Sequence, residues 1–276
     1  MKNKSIIMKI LVIGSILLTL LLLVVVFSLI KMLMPKKENI VEKKIITKNY
    51  TLEEVENIIF DFKKANSNFI ITDEEELVIV QNSKEEKFHL NYKEKESNIY
   101  LEEDSFIINP QKKKYTVYIP KNYIGKITII NGFGEVNGED IVNDLYINNN
   151  AGSLTLKNSG NINLKDVSGE ISLENIEGIL EIESSTGNIK INNMIGNINV
   201  ESITGDIEIM NFSPLGDSKF ENVSGDIILK IVENSVCKIV STNESGKTKI
   251  SDTICADKIK VNEINVTNVT GMIKID

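Results

Sequence analysis

The chain has no arginine and no tryptophan, a single histidine and two cysteines in 276 residues. Each shortage narrows the enzyme chemistry open to the chain. Without arginine, all 31 basic residues are lysine, which neutralises charge but cannot make the planar two-pronged contact with carboxylate or phosphate. General acid–base chemistry near neutral pH most often uses histidine, and sugar sites often rest on tryptophan faces; His89 stands alone in K-F-H-L-N, alternating with Phe88 and Leu90, and reads as a surface or half-buried strand residue. The net charge of −8 is uneven. Residues 1–34 hold Lys2, Lys4, Lys9 and Lys31 and no acid, so the remainder carries 31 − 4 = 27 lysines against 39 acids, or −12. A body that acidic repels phosphate backbones, and nucleic acid is excluded as a partner.

Ile10–Ile30 is a run of 21 uncharged residues rich in Leu, Val and Ile. As a helix it is about 31 Å long, the thickness of a bilayer's hydrocarbon core. It is longer than a signal-peptide core, and its bulky exit, V-F-S-L-I-K-M-L-M, lacks a small-residue cleavage site. The expected organisation is a short cytoplasmic tail (1–9), a single uncleaved transmembrane signal-anchor helix (10–34), a charged stalk (35–50), a strand-rich part (51–120) and a repeat region (121–276). Thr51 to Glu54 reads as one capped helical turn. Lys2, Lys4 and Lys9 favour a cytoplasmic N-terminus, whereas Lys31, Lys36, Lys37, Lys43 and Lys44 crowd the other flank. Long domains translocate largely regardless of such counts, so the body is expected outside the cytoplasm, with a cytoplasm-facing scaffold as the reversed alternative.

Strand patterns fill the strand-rich part: Asn57–Phe62, Asn68–Thr72, Glu76–Val80, Lys87–Tyr92, Asn98–Leu101 and Lys114–Ile119. From Gly152 the chain repeats. Glycines fall at 152, 160, 169, 178, 187, 196 and 205, one interval of eight and then five of nine. Successive units read G-E-I-S-L-E-N-I-E, G-I-L-E-I-E-S-S-T, G-N-I-K-I-N-N-M-I and G-N-I-N-V-E-S-I-T. Positions 3 and 5 are apolar and share a strand face, and position 8 is expected to turn inward after a polar bend, as in Ile171, Leu173, Ile176 or Ile198, Val200, Ile203. Glycine at position 1 gives the freedom a tight corner needs. Nine residues cannot hold a core alone, so the units must stack. The predicted fold is all-β: a β-solenoid resembling a parallel β-helix or roll, with half-coils of about nine residues and eight or nine coils of about 18 after Lys121.

The repeated S-G-E-I-S-L, T-G-N-I-K-I and T-G-D-I-E-I, preceded by K-Y-T-V-Y-I-P-K-N-Y-I-G-K-I-T-I-I-N-G, resemble the "putative adhesin" domain of bacterial envelope proteins, LiaG-like proteins among them. The resemblance covers about residues 55–276; the N-G-F-G-E-V-N-G step and the C-terminal units are less regular than the family pattern. It implies an extracytoplasmic β-solenoid, often encoded beside envelope-stress genes, with no catalytic motif to carry over.

The site expectations are accordingly negative. No residue is assigned a catalytic, cofactor-binding or metal-binding role. Asn161, Asn188, Asn197, Asp206, Asp217 and Asp226 at position 2 read as turn residues satisfying local backbone donors rather than as a calcium column, because the G-G-x-G-x-D signature is absent. Glu181, Glu183, Glu201 and Glu208 read as a solvated strand face. Cys237 and Cys255 stack for a disulfide if that coil holds 18 residues; a 20-residue register puts Cys237 over Asp257 instead. The expected function is non-catalytic, adhesin-like binding or scaffolding at the cell membrane. A protein or cell-wall polysaccharide partner or self-association would use the solenoid faces, and the alternative is a carbohydrate-active lyase or hydrolase on the same fold.

Overall fold

Alternation of Ile, Leu and Val with polar residues forces extended backbone, and every regular element described is a strand. The computed structural model describes residues 44–83, 87–104, 113–233, 235, 237–251 and 262–276. The predicted tail and membrane helix, and the stalk up to Lys43, lie outside these residues. Among the described residues no helix is long and apolar enough to cross a membrane.

The strands are β1 (Lys44–Tyr50), β2 (Asn57–Phe62), β3 (Asn66–Thr72), β4 (Leu77–Ser83), β5 (Leu90–Lys95), β6 (Asn98–Glu103) and β7 (Lys114–Pro120). There follow β8 (Lys126–Phe133), β9 (Val136–Glu139), β10 (Leu145–Ala151), β11 (Leu154–Ser159), β12 (Ile162–Ser168), β13 (Ile171–Thr186) and β14 (Ile189–Thr204). The last are β15 (Ile207–Pro214), β16 (Ser218–Ser224), β17 (Ile227–Ile231), β18 (Cys237–Ser245), β19 (Thr248–Ile250), β20 (Asn262–Thr270) and β21 (Ile273–Ile275). β13 and β14 each run round a corner and serve both faces. Two stacks result. Face A runs β5-β6-β2-β8-β10-β12-β13-β14-β16-β20-β18. Face B runs β1-β4-β7-β3-β9-β11-β13-β14-β15-β17-β21-β19. All pairings are parallel except those of β1, β4 and β5, which close the N-terminal end. Gly178 pairs with Gly196 and Ile171 with Ile189, an 18-residue coil.

Coil order departs from chain order at both ends. The β2–β3 coil lies between β6–β7 and β8–β9. Likewise β20–β21 slips between β16–β17 and β18–β19. Cys237 pairs with Asn262 on β20; Cys255 and Asp257, on which the two predicted registers turn, lie outside the described residues. The stack also starts upstream of Lys121, because β2, β3, β6 and β7 already form coils. Residues 44–50 of the expected stalk are strand β1, recruited by the backbone edge of β4. Residues 51–54 form a turn rather than a helical turn, with Glu54 at φ 60.

The core is the predicted aliphatic ladder. Ile171, Leu173, Ile189, Ile191, Ile198 and Val200 are buried. Aromatic packing thickens it at the N-terminal end, where Phe60 meets Phe69 edge-on at 5.1 Å and Phe62 stacks on Tyr115 at 5.4 Å. The ladder differs between faces at position 8. On face B, position 7 is asparagine in left-handed backbone (Asn158, Asn175, Asn193 and Asn211, φ 51 to 58). That residue breaks the two-residue alternation, so the next one points inward: Ser159, Ile176, Met194 and Phe212 are buried. On face A no such residue intervenes and alternation continues. Position 7 is buried (Asp166, Ser184, Ser202, Asn222) and position 8 is thrown outward. The expected inward Ile203 is 56% exposed, a correction caused by this parity.

Candidate functional site: the groove of face A

On face A the outward rows at positions 6 and 8 flank the inward position 7 and leave a groove along the solenoid axis. It has a volume of ≈930 Å³ and touches β2, β8, β10, β12, β13, β14, β16 and β20. Eight strands span seven spacings, about 34 Å. One wall is aliphatic at Val167, Ile203 and Val223, all exposed. The other carries Lys165, Glu183, Glu201 and Glu221. Its charges are paired: Lys165 Nζ lies 2.9 Å from Glu183 on the next coil, and Lys219 Nζ, just outside the groove, lies 3.1 Å from Glu201 on the neighbouring coil and 3.0 Å from Glu221 on its own strand. Glu181, Glu183 and Glu201 face solvent as expected, and Glu208 is half-buried.

Beneath the groove runs a buried polar column: Asn131, Asn149, Asp166, Ser184, Ser202, Asn222 and Asn268. Asn131 Nδ2 donates to Asn149 Oδ1 at 2.6 Å, and Asn149 Nδ2 donates to Asp166 Oδ1 at 2.6 Å. Asn149, Asn222 and Asn268 also donate to the carbonyls of Gly152, Gly205 and Gly225 at 2.9 Å each, tying side chains to the glycine corner. Asp166 is the only ionisable member. Burial pushes its carboxyl above the ordinary carboxylate range, partly countered by the hydrogen bonds from Asn149 and Ser184.

An acid whose folded-state pKa is raised adds stability below its unfolded value and loses it as pH rises through the folded value. Asp166→Asn keeps an acceptor for Asn149 and removes the buried charge. The variant should gain roughly 1 kcal/mol at neutral pH, with the gap over wild type closing on acidification. Urea melts of both proteins across the acidic to neutral range measure it; a gap independent of pH would show that Asp166 is not the titrating group.

The remaining sequence candidates are dispersed. His89 is buried rather than half-exposed and lies before β5, not on a strand. Its backbone N–H donates to Gln81 Oε1 at 2.7 Å, and Nδ1 stands 3.8 Å from Asp104. The position-2 side chains accept from backbone one coil further on, not from their own turn. Asn188 Oδ1 takes the N–H of Asp206, Asp206 that of Asp226, Asp226 that of Met272, and Asp217 that of Glu263. Cys237 is buried and disulfide-bonded; Cys255 lies outside the described residues. The groove itself escaped the sequence reading. Its signal was the contrast between Asn at position 7 in the four face-B units Asn158, Asn175, Asn193 and Asn211 and Asp or Ser in three of the four face-A units Asp166, Ser184, Ser202 and Asn222.

These features define a class: an all-β solenoid with a repetitive, ion-paired groove along one face. The model of the Toastrack DUF4097 family matches residues 49–276, and the chain belongs to that family. Among solved structures it is similar to a "putative adhesin" from Bacteroides fragilis NCTC 9343, at 16% identity and a TM-score of 0.50 over 84% of this chain and 97% of that one. It is also similar to one from Parabacteroides distasonis ATCC 8503, at 12% identity and a TM-score of 0.46 over 84% and 98%. At these identities the likeness to the Bacteroides fragilis protein shows the fold. No curated protein matches the chain.

Proposed function

We propose that the chain is a non-catalytic, adhesin-like protein of the bacterial cell envelope, held by its N-terminal helix with the body outside the cytoplasm, that binds its partner along the face-A groove. The supporting observation is the repetition of that surface. One charged side chain projects into it from each of four successive strands, Lys165, Glu183, Glu201 and Glu221, and these are held in ion pairs along the stack, instead of converging, among the described residues, on one point where a reacting bond could sit. Binding energy spread over equivalent coils suits adhesion or scaffolding. The names carried by the similar structures agree with this reading.

Incubating the full chain in detergent with wall and host polysaccharides tests it: retention of a polymer at unchanged chain length is expected, and shortening of the polymer would establish the carbohydrate-active enzyme instead. Protease added to intact, wall-stripped cells should remove the body and leave a short protected stub. Full protection, with lysed cells digested in parallel, would reverse the topology.

A further inference from the structure

We infer that the face-A groove takes an uncharged linear glycan lying along the solenoid axis, an assignment that rests on the binding role proposed above. Periodicity is the first argument. The two walls present one position-6 and one position-8 residue per strand, so a ligand making equivalent contacts must repeat at about 4.8 Å. An extended peptide advances about 3.3 Å per residue and a polyproline helix about 3.1 Å, so either drifts out of register within a few coils. A pyranose ring linked through opposite corners is about as long as the strand spacing and stays in register.

Chemistry is the second argument. A sugar ring has C–H faces and a rim of hydroxyls. Val167, Ile203 and Val223 offer one aliphatic contact row, with Ser185 between the first two. Across the groove Glu183, Glu201 and Glu221 accept hydrogen bonds while Lys165 donates them. Charge is the third. The carboxylates of the wall already hold their lysines at 2.9–3.1 Å. An ionic ligand would have to displace these pairs, whereas hydroxyls add to the lone pairs and N–H groups that remain. An anionic polymer also meets the acidic body, net −12 beyond residue 34 by the sequence count.

The test is calorimetric titration of the full chain in detergent micelles with cello- and chito-oligosaccharides of increasing length, beside oligogalacturonates as the anionic comparison. Affinity for the neutral series should rise with each added sugar and level off near seven units, the number of strand spacings the groove crosses. Ile203→Asp and Val223→Asp should each weaken it about tenfold or more without lowering Tm. Ile179→Asp, exposed at the opposite end of the face-A strands, should leave it unchanged. Affinity independent of length, equal binding of the anionic series, or an unaffected Ile203→Asp overturns the assignment. If no oligosaccharide binds but the chain still attaches to envelopes and Ile203→Asp abolishes attachment, the glycan is wrong and the groove's binding role stands. Loss of neither binding nor attachment in Ile203→Asp removes both.

Discussion

Replacing Ile198 with aspartate is expected to lower Tm by about 10 °C or more, whereas Glu201→Lys, three residues on, should melt within a few degrees of wild type. Ile198 is 1% exposed and pairs in register with Leu180 on the neighbouring coil. A carboxylate there has no cation to meet and costs several kcal/mol, a large part of the roughly 5–15 kcal/mol that holds a domain together. Glu201 points to solvent and loses only its contact with Lys219 at 3.1 Å, an exposed pair worth about 0–1 kcal/mol. Thermal melts followed by circular dichroism decide it: equal Tm values for the two variants would mean that the strand is turned over.

Gly187→Ala should cost about 3 kcal/mol or more although it adds one methyl group. Gly187 has φ +135, in the region L side chains avoid, and a Cβ there would lie 1.7 Å from the carbonyl oxygen of Gly169 on the preceding coil. The methyl is fixed to the Gly187 backbone, and the corners are held by the bonds from Gly169 N–H to the Thr186 carbonyl and from Gly187 N–H to the Thr204 carbonyl, so neither side can move aside. The same corner recurs up the stack in the order Gly169, Gly187, Gly205, Gly225, Gly271, Gly246. Glu170→Ala, exposed beside the corner, is the control and should shift stability by no more than about 0.5 kcal/mol. A Gly187→Ala variant that melts like wild type would refute the close approach of successive corners.

Much of the solenoid was legible because its determinants are local. Glycine every nine residues marks each corner, and alternation at positions 3 and 5 assigns Ile171, Leu173, Ile198 and Val200 to the interior without reference to any distant residue. Position 8 was not legible. Ile176 and Ile203 occupy equivalent places in equivalent units, yet one is buried and the other exposed. The difference is the backbone of the preceding residue, left-handed at Asn175 and not at Ser202. Even asparagine is an ambiguous sign, since Asn222 fills the same position on face A and lies buried in extended strand. The groove inherits this ambiguity, because its aliphatic wall consists of position-8 residues that a uniform repeat would have sent inward.

The sequence by itself determined that the chain stacks short strands around an aliphatic ladder, turns at glycine and keeps an acidic exterior, since each follows from side-chain period and composition. Only the tertiary structure decided the order of coils and the contents of the groove. Which coil pairs with which is a contest among nearly identical strand edges. At both ends it is won by non-sequential neighbours, β2–β3 entering beside β6–β7 and β20–β21 beside β16–β17. Side chains brought together in this way, such as Glu221 on β16 beside Thr267 on β20, are 46 residues apart in the chain and one strand spacing apart in space, and no repeat period in the sequence encodes that distance.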